Sequence, residues 1–264
     1  MRLTAAILFS LGFVSAQRNI TRIIGGKDAQ QEAYPFIGLL VNFKSSSFCG
    51  ASLLSDRWLV TAAHCVNGAR PSDIRVTMGT NDFDIDSSRP VDEITIHSQY
   101  NTANQSNDIA VIRLSNRVNF KAIKIAKYPY VSDGETLRAI GWGLEKHNAT
   151  TPASKLQEVD LTTISRDRCR KSFSSFQGNG VGAQICTGDT PGKDTCSGDS
   201  GGPLMRKADN GWLLVGVTSF GAWDNSIQLE ATCGVEEVVG VYTNVMKYVS
   251  FISTATGLNR SIFT

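Results

Sequence analysis

Histidine, the usual metal ligand and proton carrier, occurs only three times in 264 residues. No Cys-x-x-Cys pair or run of histidines accompanies these three, so ligand spacing argues against a zinc module. Excess charge is also missing. The formal net charge is +2, and three of the 26 basic residues (Arg2, Arg18 and Arg22) fall within the first 22 positions, which hold no acid. Past that point 23 basic residues face 24 acidic ones, a balance that gives nucleic acid or an anionic membrane no electrostatic reason to bind. Internal repeats and low-complexity tracts are absent, as is any apolar run of the ~20 residues a membrane-spanning helix needs.

What is present points to export. Arg2, the apolar run Leu3 to Val14 and the small residues Val14-Ser15-Ala16 have the layout of a secretory signal peptide over residues 1–16. Six cysteines follow it: Cys49, Cys65, Cys169, Cys186, Cys196 and Cys233. In an oxidising compartment an even count implies three disulfides, with about 15 pairings open on arithmetic alone. Asn-x-Ser/Thr acceptors stand at Asn19, Asn104, Asn148 and Asn259, as expected of a secreted glycoprotein.

Beyond residue 22 the chain alternates short apolar runs with clusters of Gly, Asn, Asp, Ser and Pro. Phe36 to Val41, Trp58 to Thr61, Ile109 to Leu114 and Trp212 to Val217 read as strands. Asn67-Gly68 and the stretch 178–182 read as turns. Many short strands without helical periods between them predict an all-β sandwich or barrel. One helix is expected at the end, where Val245, Tyr248, Val249 and Ile252 recur at spacings of three and four before Gly257. The polar stretch 128–135 divides the chain into two halves.

Gly198-Asp199-Ser200-Gly201-Gly202-Pro203 carries the chemistry. A serine between glycines on a tight turn can present its hydroxyl while backbone N–H groups aim at the same point, as acyl transfer requires. Such a serine needs a base. His97 and His147 sit in polar surroundings and read as surface residues, whereas His64 lies in Val60-Thr61-Ala62-Ala63-His64-Cys65, at the end of an apolar strand. The base needs a carboxylate to hold its tautomer, and Asp108 opens the apolar run 109–112, where an unpaired acid would be costly.

These three motifs, in this order, resemble the trypsin/chymotrypsin family of serine proteases from Ile23 to about Leu258. The resemblance implies two six-stranded antiparallel β-barrels, a catalytic triad of His64, Asp108 and Ser200 between them, and a C-terminal α-helix. It implies a propeptide over residues 17–22, cleavage after Arg22, and pairing of the new Ile23 ammonium with Asp199. That pairing orders an oxyanion hole made by the N–H groups of Gly198 and Ser200. The protease domain is then 23–264, with disulfides Cys49–Cys65, Cys169–Cys186 and Cys196–Cys233. Asp194 matches the pocket-floor carboxylate of trypsin-like members, beside Thr195, with Gly221 and Gly240 as walls and Ser219-Phe220-Gly221 pairing with substrate backbone. The implied activity is secreted, extracellular endopeptidase cleavage after Arg or Lys. Chymotrypsin-like or broad specificity and an inactive binding homologue are the alternatives. Expected partners are protein or peptide substrates and proteinaceous protease inhibitors, with no cofactor, metal, nucleic acid or membrane, and the molecule is expected to be a monomer.

Three departures bear on these expectations. Phe220 stands where many members carry Trp. Eleven residues, Ala222 to Thr232, separate Gly221 from Cys233, where trypsins have a few. Thr80 follows Gly79 where an acidic calcium ligand would be expected.

Overall fold

A computed structural model of the chain describes residues 24–145, 149–178, 181–224, 226, 228 and 233–264. The first half forms β1 (Lys27–Asp28), β2 (Ile37–Asn42), β3 (Ser47–Leu53), β4 (Trp58–Thr61), β5 (Ile74–Met78), β6 (Arg89–Ile96) and β7 (Ala110–Leu114). The last six close into a barrel in the order β2-β3-β4-β7-β6-β5. Leu39, Leu40, Leu59, Val60, Val76, Val111 and Ile112 are all but fully buried in the main core. Burying a side chain of that size contributes roughly 1.5–3 kcal/mol.

The second half forms β8 (Lys124–Ile125), β9 (Thr136–Gly141), β10 (Gln157–Thr162), β11 (Gln184–Thr187), β12 (Pro203–Ala208), β13 (Gly211–Ala222) and β14 (Val239–Asn244). Its sheet runs β1-β10-β9-β12-β13-β14-β11, with β8 parallel to β13. Six of these strands, β9 to β14, curl until their outer edges meet. Thr163 and Thr187 bridge β10 to β11, with Ile164 N donating to Cys186 O (3.0 Å) and Gly188 N to Thr162 O (3.1 Å). The second barrel is therefore joined through a short seam, the first through full ladders.

Helices are few. α1 (Ala63–Val66) and α2 (Arg166–Ser172) were not expected, because one or two turns are too short for a 3.6-residue period to register. The Ser165 hydroxyl caps α2 by accepting from Arg168 N. The C-terminal helix begins as a 3-10 turn over Val245–Tyr248 and continues as α3 (Val249–Thr256). Gly257 stops it at φ +68°, a left-handed cap suited to glycine. Among the described residues no helix is long and apolar enough to cross a membrane.

A polar cluster fastens the N-terminal segment of the first half to the second barrel. Buried Glu158, on β10, accepts from Tyr34 Oη (2.6 Å) and Arg138 Nη1 (3.0 Å) and pairs with Lys27 on β1 (3.4 Å). Arg138 also grips Asp160 at 2.6 and 2.8 Å and lies 4.8 Å over the Trp212 ring. Both carboxylate oxygens of Glu158 therefore meet a donor or cation, the condition for burying a carboxylate at low cost.

Candidate active site

Two antiparallel strands bring the histidine and the aspartate to one end of the first barrel. β4 pairs with β7 with Thr61 opposite Ala110, so the end of one strand faces the start of the other. Past Thr61 the chain turns into α1, carrying His64, and Cys65 is locked to Cys49 on β3 by a disulfide. Before Ala110 comes Asp108, behind Asn107 in a left-handed conformation (φ +54°). Asn is among the few residues that tolerate that region. The Asn107 side chain is held by Tyr248 Oη at 3.0 Å.

Asp108 is fully buried, and its side chain is surrounded by donors. Oδ1 accepts from His64 N at 2.9 Å, and Oδ2 lies 2.8 Å from His64 Nδ1. Oδ2 also accepts from the Ser219 hydroxyl, while the Asp108 carbonyl accepts from Thr243 Oγ1 at 2.8 Å. Ser219 and Thr243 belong to β13 and β14, so the second barrel helps to set a carboxylate carried by the first. With Nδ1 directed at a carboxylate, the neutral imidazole carries its proton there and leaves Nε2 as the basic nitrogen. That ring remains 27% exposed and is thus open to a substrate.

Ser200 sits on the turn between Cys196 and β12. Its carbonyl accepts from Gly50 N at 2.7 Å, and the Gly50 carbonyl accepts from Thr61 Oγ1 at 2.8 Å. These two bonds tie the serine turn to the strand end that leads into His64. Gly198 has φ +98°, and a Cβ there would stand 2.2 Å from the Phe48 ring. Only glycine can hold this turn, and with it the direction of the Gly198 and Ser200 amides.

A cavity of about 240 Å³ opens beside Ser200, lined by Thr195, Cys196 and Ser197 on one side and Thr218 to Gly221 on the other, with Trp223. Asp194 and Gly240 stand one step behind that lining: Gly240 is the cross-strand partner of Gly221, and Asp194 precedes Thr195. Thr195 Oγ1 and Tyr242 Oη lie 3.0 Å apart. The Asp194 carboxylate accepts from Gly234 N at 3.1 Å, and burial pushes its pKa up to about 7. An acid held that high has too few donors for its charge, which is what an incoming cation could relieve.

Asp199 is fully buried as well. It accepts from Cys196 N (2.9 Å) and Gly143 N (2.8 Å), and burial pushes its pKa up to about 6. Among the described residues neither Asp194 nor Asp199 forms an ion pair. Arg22 and Ile23 lie outside the described residues. Ile24, next to them, is seated against this region, its carbonyl accepting from Asp194 N at 3.1 Å.

Comparison with known proteins agrees with this geometry. The trypsin family model matches residues 23–252. The chain belongs to the trypsin family of serine proteases. It is 34% identical over 262 residues to CLIP domain-containing serine protease B4 of Anopheles gambiae, covering 88% of this chain and 69% of that protein. It is 30% identical to CLIP domain-containing serine protease B15 of the same organism, covering 93% and 72%. Transmembrane protease serine 11G of Rattus norvegicus is 34% identical, with 90% of this chain matched to 56% of that protein.

As a trypsin-family chain it forms the three expected disulfides, Cys49–Cys65, Cys169–Cys186 and Cys196–Cys233. One expectation fails. His97 is half-buried rather than a plain surface residue, with Tyr248 and Phe251 rings edge-on at 5.3 and 4.9 Å, and burial lowers its pKa. Its own sequence neighbours are polar; the apolar frame comes from the C-terminal helix. His147, Asn19 and Asn148 lie outside the described residues. The sequence reading missed Tyr242, Thr243 and Trp223. Tyr242 and Thr243 lie within an apolar strand, where nothing distinguishes a residue that serves the site from a core one. Trp223 is the second residue of the insertion.

Proposed function

We propose that the chain is a secreted serine endopeptidase that cleaves after Arg or Lys. The observation carrying the reading is the fully buried Asp108 bonded to His64 Nδ1, within a site that also presents Ser200 at an open cavity. In this scheme His64 Nε2 takes the Ser200 proton as Oγ attacks the substrate carbonyl, and the Gly198 and Ser200 amides receive the developing oxyanion. His64 then gives that proton to the leaving amine, and water releases the acyl group by the reverse sequence. Asp194 supplies the preference for a cationic side chain. A signal peptide over 1–16, a propeptide over 17–22 and glycans on exposed Asn104 and Asn259 belong to the same reading. Comparing turnover of Arg, Phe and Leu esters by the cleaved protein tests it. A leading Arg ester supports the assignment, a leading Phe or Leu ester removes the Arg/Lys preference, and no turnover removes the enzyme.

Production as a precursor has a separate consequence. The uncut chain cannot place an ammonium against Asp199, so Arg22→Gln should give a folded protein with almost no activity. The pH dependence follows from the raised pKa. Between about pH 4 and pH 6 the folded precursor holds a proton that the unfolded chain has released, so stability falls as pH rises across that window. Adding Asp199→Asn to Arg22→Gln should therefore stabilise the precursor by an amount that grows from pH 4 to pH 6 and then levels, at about 3 kcal/mol. Denaturant melts of both variants across this range measure the difference, and a difference independent of pH would count against it.

A further inference from the structure

The pairing of β13 with β14 sorts the side chains at the cavity. Phe220 faces Val241 and Ala222 faces Val239 across the ladder, and all four pack into the satellite core with Ile164 and Phe176. Gly221 and Gly240 form the pair between them, so they occupy the opposite face of the sheet. A Cβ at Gly240 would come within 2.9 Å of Thr187 Oγ1 and of Tyr242 Oη, which keeps that face bare. β13 ends at Ala222, and the first residue after it is Trp223. It is half-buried and lines the cavity together with Ser200, Ser197 and Gly221. The insertion that begins at Ala222 thus brings an indole into the cavity lining two residues past Gly221.

We propose that Trp223 is a specificity-determining wall of the slot, packing its indole along the apolar stem of the substrate side chain beside the scissile bond. This rests on the reading that the cavity receives that side chain, and not on which side chain it prefers. The stem of Arg or Lys is a row of methylenes that must leave water on its way to Asp194. A flat indole at the mouth covers those methylenes while the charged end passes beyond it. Such a contact is made equally in the bound substrate and in the transition state, so it lowers KM and leaves kcat alone.

The test measures kcat and KM for Arg, Lys, Phe and Leu esters with Trp223→Ala and Trp223→Phe, together with a benzamidine titration followed by tryptophan emission. Loss of the indole should raise KM about tenfold on the best ester with kcat nearly unchanged, and Phe should restore most of it. Benzamidine should change the emission of wild type, and Trp223→Phe should abolish most of that change, since Trp58 and Trp142 are buried elsewhere and Trp212 lies under the Arg138 guanidinium beside Tyr34. A fall in KM on removing the indole would mean that it blocks the slot, and overturns the proposal. So would an unchanged KM, or an emission change of full amplitude in Trp223→Phe. If a Phe ester proves best, the cation preference of Asp194 falls, yet the rise in KM on that ester still decides for or against the wall. A protein that turns over none of the esters and binds no benzamidine overturns both readings.

Discussion

Replacing Ser200 with alanine should abolish nearly all turnover, by on the order of 10⁴-fold or more in kcat, with stability and ligand binding unchanged. The expectation of a sound fold comes from what Ser200 contributes through its backbone. The carbonyl that accepts from Gly50 N and the left-handed glycines at 198 and 201 do not depend on the hydroxyl. The carboxylate of Asp108 keeps its donors from His64 and Ser219, so the base stays in place with nothing to deprotonate. What disappears is the acyl-enzyme. Water attacking directly would still meet the Gly198 amide and the bound geometry, which is why a small residual rate is expected rather than none. Ester turnover, a thermal melt and benzamidine affinity, measured on cleaved wild type and variant, check the three parts. Ester hydrolysis near the wild-type rate would refute the role given to Ser200.

The parts of the fold that local pattern dictates were legible in the sequence. The runs read at 36–41, 58–61 and 109–114 are the strands β2, β4 and β7 of the first barrel, within a residue of their observed ends. Apart from Arg113 they are buried almost throughout, with both faces covered, so no alternation was needed to see them. β13 is twice as long as the run that marked it, since its second half, Thr218 to Ala222, is interrupted by the glycine and serine that the site requires. Function there erased the strand pattern. The seam closing the second barrel was invisible for another reason: it rests on main-chain bonds around Thr163 and Thr187, and main chain has no sequence signature.

The candidate site divides in the same way. His64, Asp108 and Ser200 could be picked out because each sits in a motif whose neighbours are constrained: an alanine pair, an apolar strand, a glycine turn. Asp194 was legible only by its spacing from Cys196 and Ser200. Its two hydroxyl neighbours, on Thr195 and Tyr242, come from segments 47 residues apart, and their meeting follows from barrel register. His97 shows the converse failure. Composition around it suggested exposure, while the rings that cover it arrive from more than 150 residues along the chain. Local sequence reports burial well for strands that bury themselves and poorly for residues buried by distant elements.

Asp194→Ser should lower kcat/KM for Arg esters by several powers of ten while leaving Phe and Leu esters within about tenfold of wild type. The magnitude follows from burial. Asp194 is 5% exposed, and a guanidinium drawn into the slot loses its water whether or not a carboxylate meets it. With the carboxylate present, paired charge-assisted hydrogen bonds replace that water; with serine, one neutral hydroxyl does. The pKa of about 7 adds a signature that a merely structural acid would lack. In the empty slot Asp194 holds a proton below that pH, and a bound cation favours the ionised form. Benzamidine should therefore bind more weakly as pH falls, by about tenfold per unit below pH 7, and level off above it. In Asp194→Ser that slope should vanish together with most of the affinity. Direct benzamidine titrations from pH 5 to pH 8, which read binding rather than turnover, separate this slope from any titration in the catalytic step. A slope of equal size in the serine variant would place the titrating group elsewhere and remove Asp194 from the slot.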